Sequence, residues 1–600
     1  MSTQLPVLFA ASLLGAAIAL SACTSNQATD PAPAAATPVQ EAVVTTMPLL
    51  PAPPTAPPLA AKAANSNDMA AAGRASAQLM RKEMAPMAPS TYAPMTADML
   101  AIAPSAMPST ELREQYAALQ ANPVFRAVET PVSTFSVDVD TGSYSNVRRM
   151  LNEGRLPPPD AVRVEELINY FDYAYSGPKD RSTPFALHTE LAPTPWNANT
   201  ELLAIGIQGW KPAAASTRPS NLVFLVDVSG SMQDPNKLPL VKSSLKLLAA
   251  ELTARDRISL VVYAGRTEVV LEPTPGNQTA KIAAALDRLE AGGSTAGASG
   301  IQLAYQMARQ AWMPEGNNRV LLATDGDFNV GISDVRQLKQ MVEEQRKSGV
   351  ALSTLGFGTG NYNDELMEQL ADVGNGNYRY IDSLTEARRV FVDERASALE
   401  TIARDVKIQV EFNPAVVAEY RLIGYENRML RREDFNNDAI DAGDIGAGHR
   451  VTALYEIARV GSAGVKVDAL RYGKDARKPA AGKADELAFL RLRYKHPDEG
   501  MKASSRLIER VIHPGDAVTA QQTTPAFKLA AAVAAYGQIL RGGEHVGGYQ
   551  LRDAVALARS ALAGEADQAS GRSAEFIELA KLATSLQATT AQAPGTENTD

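Results

Sequence analysis

The stretch FLVDVSGSM, residues 224–232, runs an apolar segment straight into one carboxylate and two hydroxyls. Asp227, Ser229 and Ser231 alternate there with Val228 and Gly230. Alone, the pattern suits three chemistries: a nucleophile loop, a metal cradle, or a polar turn closing a buried strand. The surrounding sequence decides among them. From Asn221 onward, strand-like runs (NLVFLVDV, RISLVVYAG, TEVVLEP, RVLLATDG, VALSTLGFG, GNYRYI) alternate with helical patterns near 237–253, 279–290, 297–311, 333–348, 363–373 and 384–403. Continuous apolar strands joined by helices predict an α/β fold: a doubly wound, mostly parallel sheet covered on both faces.

Ligands of such sheets bind beyond the carboxyl ends of the strands. Asp227, Ser229 and Ser231 follow the first strand, and Asp325 follows RVLLAT in TDGDFNVG. Thr295 lies between them in GGSTAG, just before a helix. Three loops therefore offer hard oxygen ligands at one sheet edge. Mg²⁺ takes near-octahedral oxygen coordination and sheds water reluctantly, so a few carboxylates with hydroxyls and waters suit it. Mn²⁺ and Ca²⁺ are the alternatives, Ca²⁺ fitting less well because it recruits more carboxylates and carbonyls. The absence of Cys and His from these loops argues against a zinc-type ion. With so few anionic ligands the cation stays electrophilic, and an open position can accept a partner's carboxylate.

The order D-x-S-x-S, then T, then D, resembles the metal-ion-dependent adhesion site of von Willebrand factor type A domains. The resemblance places its ligands at Asp227, Ser229, Ser231, Thr295 and Asp325, all matching without substitution, in a domain spanning 219–395. It implies that Thr295 ligates directly when a partner carboxylate binds, and that Asp325 ligates directly or through water. It also implies coupling to the last helix, here EARRVFVDERASALETIA. More widely, SVDVDTGSYSNVRRMLNEGRLPPPDAVRVEELINYFDY, GAGHRVTALYEI and TPAFKLAAAVAAYGQILRGG resemble bacterial YfbK-type lipoproteins.

Enzyme readings fare worse. A serine nucleophile needs a base with an orienting acid. The histidines are His188, His449, His496, His513 and His545, all outside 219–395, and no G-x-S-x-G surrounds these serines. Asp140-Thr141-Gly142-Ser143 copies an aspartic-protease loop, but no second D-[ST]-G exists to complete a dyad. DFNNDAIDAGDI, 434–445, fails as a calcium loop because Ala439 and Ile445 stand where Gly and Glu are required. His449 reads as a hydrogen-bonded loop residue.

The whole chain sets the frame. Its 600 residues exceed one core and predict about two to four domains. A net charge of −9 argues against a nucleic-acid partner. Its one cysteine, Cys23, rules out an intramolecular disulfide. Cys23 closes Leu20-Ser21-Ala22-Cys23, which resembles a lipobox behind an apolar signal segment. We therefore expect a signal peptide over 1–22, a lipidated Cys23 and an Ala/Pro-rich, disordered linker to 111. An α+β region follows over 112–215, then the 219–395 domain. A β-sandwich-like region is expected over 396–515, a helical one over 516–588 and a disordered tail over 589–600. No Asp follows Cys23, which, by resemblance to enterobacterial lipoprotein sorting, favours the outer membrane. The expected protein is a non-enzymatic, lipid-anchored envelope protein that binds a protein partner through Mg²⁺, with an envelope hydrolase or protease, or a purely structural metal-stabilised scaffold, as the alternatives. Its other contact is the bilayer, through Cys23.

Overall fold

The computed structural model describes residues 114–213, 217–293, 297–326, 335–471, 483, 485–499, 503–562 and 571–592. Cys23, the linker, Thr295 and residues 593–600 lie outside the described residues, while residues 589–592, expected as the start of a disordered tail, continue the last helix, Arg572–Gln592. The first described segment carries β1 (Phe125–Arg126), β2 (Val132–Ser136), α1 (Gly142–Asn152), α2 (Val164–Asn169), β3 (Phe185–Thr194) and β4 (Asn197–Gly209).

The middle of the chain forms the α/β layer. Its strands are β5 (Ser220–Asp227), β6 (Arg257–Tyr263), β7 (Thr267–Pro275), β8 (Asn317–Thr324), β9 (Ala351–Gly356) and β10 (Tyr378–Tyr380). Its helices are α3 (Leu238–Ala250), α4 (Thr279–Asp287), α5 (Gly297–Gln310), α6 (Val335–Arg346), α7 (Asp364–Val373), α8 (Leu384–Arg388) and α9 (Arg395–Leu399). The sheet order is β10-β9-β8-β5-β6-β7, parallel except for the edge strand β7. All of β5 is buried because both faces are covered. Leu222, Phe224 and Val226 meet Val241, Leu245 and Leu248 of α3 in one core. Val223 and Leu225 meet Ile301, Ala304 and Tyr305 of α5 in the other. This two-sided burial is why the strand reads as a continuous apolar run.

The remaining strands are β11 (Thr401–Phe412), β12 (Val417–Ile423), β13 (Ile445–Gly446), β14 (Arg450–Arg459), β15 (Ala488–Lys495) and β16 (Arg506–Ile512). They combine with the first segment into two antiparallel sheets. One runs β1-β12-β14-β4-β3; the other runs β13-β11-β15-β16, with β2 also paired to β11. Leu203, Ile205 and Ile207 of β4 share a core with Ile408, Val410, Leu490 and Leu492, so the sheets form a sandwich. Leu202 and Ala204 point the other way. They join α2 and the helices α10 (Pro525–Leu540), α11 (Leu551–Leu562) and α12 (Arg572–Gln592).

One expectation needs correcting. The pattern over 384–403 predicts a single helix, but the helix stops short. After α8 the chain makes a π turn over Arg389–Asp393, resumes briefly as α9, and by Thr401 is already strand β11. The π turn keeps Val390 and Phe391 in the core while Arg389 reaches Glu386, Glu394 and Thr141.

Candidate metal centre

The chain runs from β5 to β6 and β7 on one side, then returns to β8 on the other. That reversal opens a crevice beyond the carboxyl ends of β5 and β8, the usual ligand position in such sheets. Asp227 is the last residue of β5 and Asp325 directly follows β8; both are fully buried. Asp227 Oδ1 accepts the backbone N–H of Ser229 at 2.9 Å. Its Oδ2 accepts the hydroxyl of Thr324 at 2.9 Å. Ser229 and Ser231 bring their hydroxyl oxygens to 3.0 Å from each other. A short 3₁₀ turn, Gly230–Gln233, fixes that spacing.

The third loop docks on the first. Gly230 N–H donates to Gly293 O at 3.0 Å, and Gly292 N–H donates to Val228 O at 2.7 Å. This pins the start of GGSTAG against the serine loop, although Thr295 itself lies outside the described residues. The structure thus brings together Asp227, Ser229, Ser231 and Asp325.

Three further residues of the site have no sequence signature. Thr324 orients Asp227, while Lys237 donates to Asp325 Oδ2 at 3.0 Å. Asn361 Nδ2 reaches the same oxygen at 3.3 Å. Gly326 (φ +85°) lets the Asn361 loop close, since a Cβ there would stand 2.5 Å from Asn363 N. The described N-terminus braces that loop too. Gln115 N–H donates to Tyr362 O at 2.9 Å, and Glu114 Oε1 accepts Gly360 N–H at 3.1 Å.

Electrostatics fit a cation. Burial pushes the Asp227 carboxyl up to about 6, the Ser229 hydrogen bonds oppose this, and the charge of Asp325 adds to it. A carboxylate so reluctant to ionise gains from a positive ligand. Hard oxygens from carboxylates and hydroxyls are the donor set that Mg²⁺ takes.

A second acidic group lies elsewhere. Asp138, Glu166 and Glu368 bring carboxylate oxygens within 4.8 Å of one another, all buried. Here guanidinium groups already take the cation's place. Arg428 pairs with Asp138 at 3.1 Å and Glu368 at 3.2 Å, and Arg163 pairs with Glu166. The group joins the segment before the α/β layer to α7 and to Arg428 beyond β12. His449, as expected, is a hydrogen-bonded loop residue: its Nδ1 accepts Gly446 N–H at 3.1 Å.

Comparison with known proteins agrees with this layout. The family model described as von Willebrand factor type A domain matches residues 221–403, and one described as von Willebrand factor matches 110–204. A third, described as uncharacterized protein YfbK, C-terminal, matches 397–586. The YfbK protein of Escherichia coli (strain K12) is 48% identical over 475 residues, covering 78% of this chain and 81% of that protein. The chain belongs to the YfbK family. An uncharacterized Synechocystis protein is 33% identical over 173 residues, covering 29% of this YfbK-family chain and 40% of its own length. Among solved structures, a von Willebrand factor type A protein from Catenulispora acidiphila covers 63% of this chain and 87% of its own. It does so at 17% identity and a TM-score of 0.37. The type A domain of this YfbK-family member suggests a protein-interaction or adhesion-type function, and such domains commonly bind a divalent metal ion.

Proposed function

We propose that the chain is a lipid-anchored envelope protein whose type A domain binds a protein partner through a Mg²⁺-dependent adhesion site. The observation that carries this reading is the convergence of Asp227, Ser229, Ser231 and Asp325 at the sheet's switch point, beside a buried carboxylate that burial disfavours as an anion. Asp227 and the two serines would hold the ion, Thr295 would ligate directly when a partner carboxylate binds, and Asp325 would join directly or through water. When bound, the ion supplies an electrophilic position for a partner's carboxylate. Thr324 and the Ser229 N–H fix the Asp227 carboxylate, and Gly293 O fixes the turn that carries Ser231. The role is binding rather than catalysis. Ser229 shares its hydrogen bond with Ser231, and His449 is buried and held well away from protonation, down to about 3.

In this reading Cys23 is lipidated and tethers the folded part, with the outer membrane favoured. The test is capture of partners from envelope extracts with and without chelator, for wild type and Asp227→Ala. Loss of capture in both treatments is expected; capture indifferent to both would sink the adhesion reading. Cys23→Ala should release the chain from membranes, and continued retention would contradict lipidation.

A further inference from the structure

Lys237 carries an inference about how the site selects its ligand, and it rests on the metal-binding reading above. The residue sits just before α3, ten positions after Asp227, and is buried. Its ammonium donates to Asp325 Oδ2 at 3.0 Å and to Asn361 Oδ1 at 3.1 Å. Asn361 Nδ2 returns to the same Asp325 oxygen at 3.3 Å, closing a three-membered ring of contacts. The aliphatic stem lies along Gly358 (φ +76°), where a Cβ would collide with Lys237 Cγ. The fold therefore reserves space for this side chain. Removing an ammonium from water is costly unless it is paired, so its place beside Asp325 calls for a reason.

Charge supplies one. Asp227 and Asp325 bring two negative charges to the crevice, and Lys237 offsets one of them. With the lysine, a divalent ion leaves these groups with one net positive charge; without it, they are neutral. The geometry points to Lys237 as a positioning and specificity-determining residue: it clamps Asp325, offsets its charge, and keeps the loaded site cationic so that it selects a carboxylate ligand. The cost is weaker hold on the metal itself. Removing the ammonium should therefore move two affinities in opposite directions. A purely structural lysine would move both the same way.

The experiment uses the full chain after chelator treatment. Mn²⁺ is titrated by calorimetry. Acetate is then titrated onto the Mn²⁺-loaded protein, with water-proton relaxivity reporting displacement of metal-bound water. Lys237→Met keeps the stem along Gly358 and loses the charge; Lys237→Gln also keeps a donor for Asp325. Both variants are expected to bind Mn²⁺ about tenfold tighter and acetate about tenfold weaker than wild type, the scale of one nearby unit charge in a partly solvated site. Unchanged affinities, or losses of both, in variants that melt like wild type would overturn the proposal. So would loss of cooperative melting in both, which makes the lysine a folding element. A wild-type chain that takes up no Mn²⁺ would instead defeat the metal-binding reading on which this rests.

Discussion

Two acidic clusters in this molecule are built from the same residue types and differ in what neutralises them. At the junction, Asp138, Glu166, Asp364 and Glu368 face Arg163 and Arg428, several pairs closing at 2.5–3.2 Å. At the sheet edge, Asp227 accepts hydrogen bonds from the Ser229 N–H and the Thr324 hydroxyl among the described residues, with Lys237 beside Asp325. The first cluster is completed by the fold. In the proposed reading, the second leaves part of its charge to a ligand. Burial raises carboxyl pKa values at both, so a perturbed acid alone does not mark a functional site; the identity of the counter-charge does.

The largest expected effect breaks the junction. Arg163→Ala leaves Glu166 and Asp364 buried without their guanidinium. Denaturant unfolding should show a loss of about 3–5 kcal/mol, the range for a buried pair stripped of one partner. A loss under about 1 kcal/mol would mean that the junction is not completed by its arginines.

The next effect concerns pH. Burial pushes the Glu165 carboxyl up to about 8, helped by the charges of Glu426, Asp138 and Glu166. Its folded pKa lies above its unfolded one, so the folded state binds the extra proton between them. The stability this confers is full below about pH 4.5 and is lost as pH rises through about 8. Glu165→Gln should therefore be more stable than wild type at pH 8–9 and gain little at pH 4.5, as read by melting across pH. An advantage that is flat with pH would remove the titration argument.

The smallest effect belongs to the sheet edge. Asp227→Asn in chelator should change stability by less than about 1 kcal/mol or raise it, because the fold loses a reluctantly charged group rather than an ion pair. A loss of several kcal/mol would place Asp227 with the structural acids.

Much of the α/β layer was legible in the chain. The β5 run is apolar at every position from Leu222 to Val226 because it is buried on both faces, and its polar end marks the crevice. The candidate metal loop was legible as a motif because D-x-S-x-S has a fixed spacing. Lys237, Thr324 and Asn361 carry none, being common loop or strand-end residues whose role depends on which loops meet. The single helix read over 384–403 failed for a related reason: a π turn over Arg389–Asp393 interrupts it, and Thr401–Ala403 already belong to β11, where they pair with Ile445–Gly446, far away in sequence. Strand propensity is local; the partner is not.

The central claim is that the cation belongs to the sheet edge and not to the junction. It is tested most directly by calorimetric titration of Mg²⁺ into three chelator-treated proteins: wild type, Asp227→Ala and Glu368→Gln. The account predicts one site per chain in wild type and Glu368→Gln, and none in Asp227→Ala. Binding that survives Asp227→Ala and disappears in Glu368→Gln would contradict it.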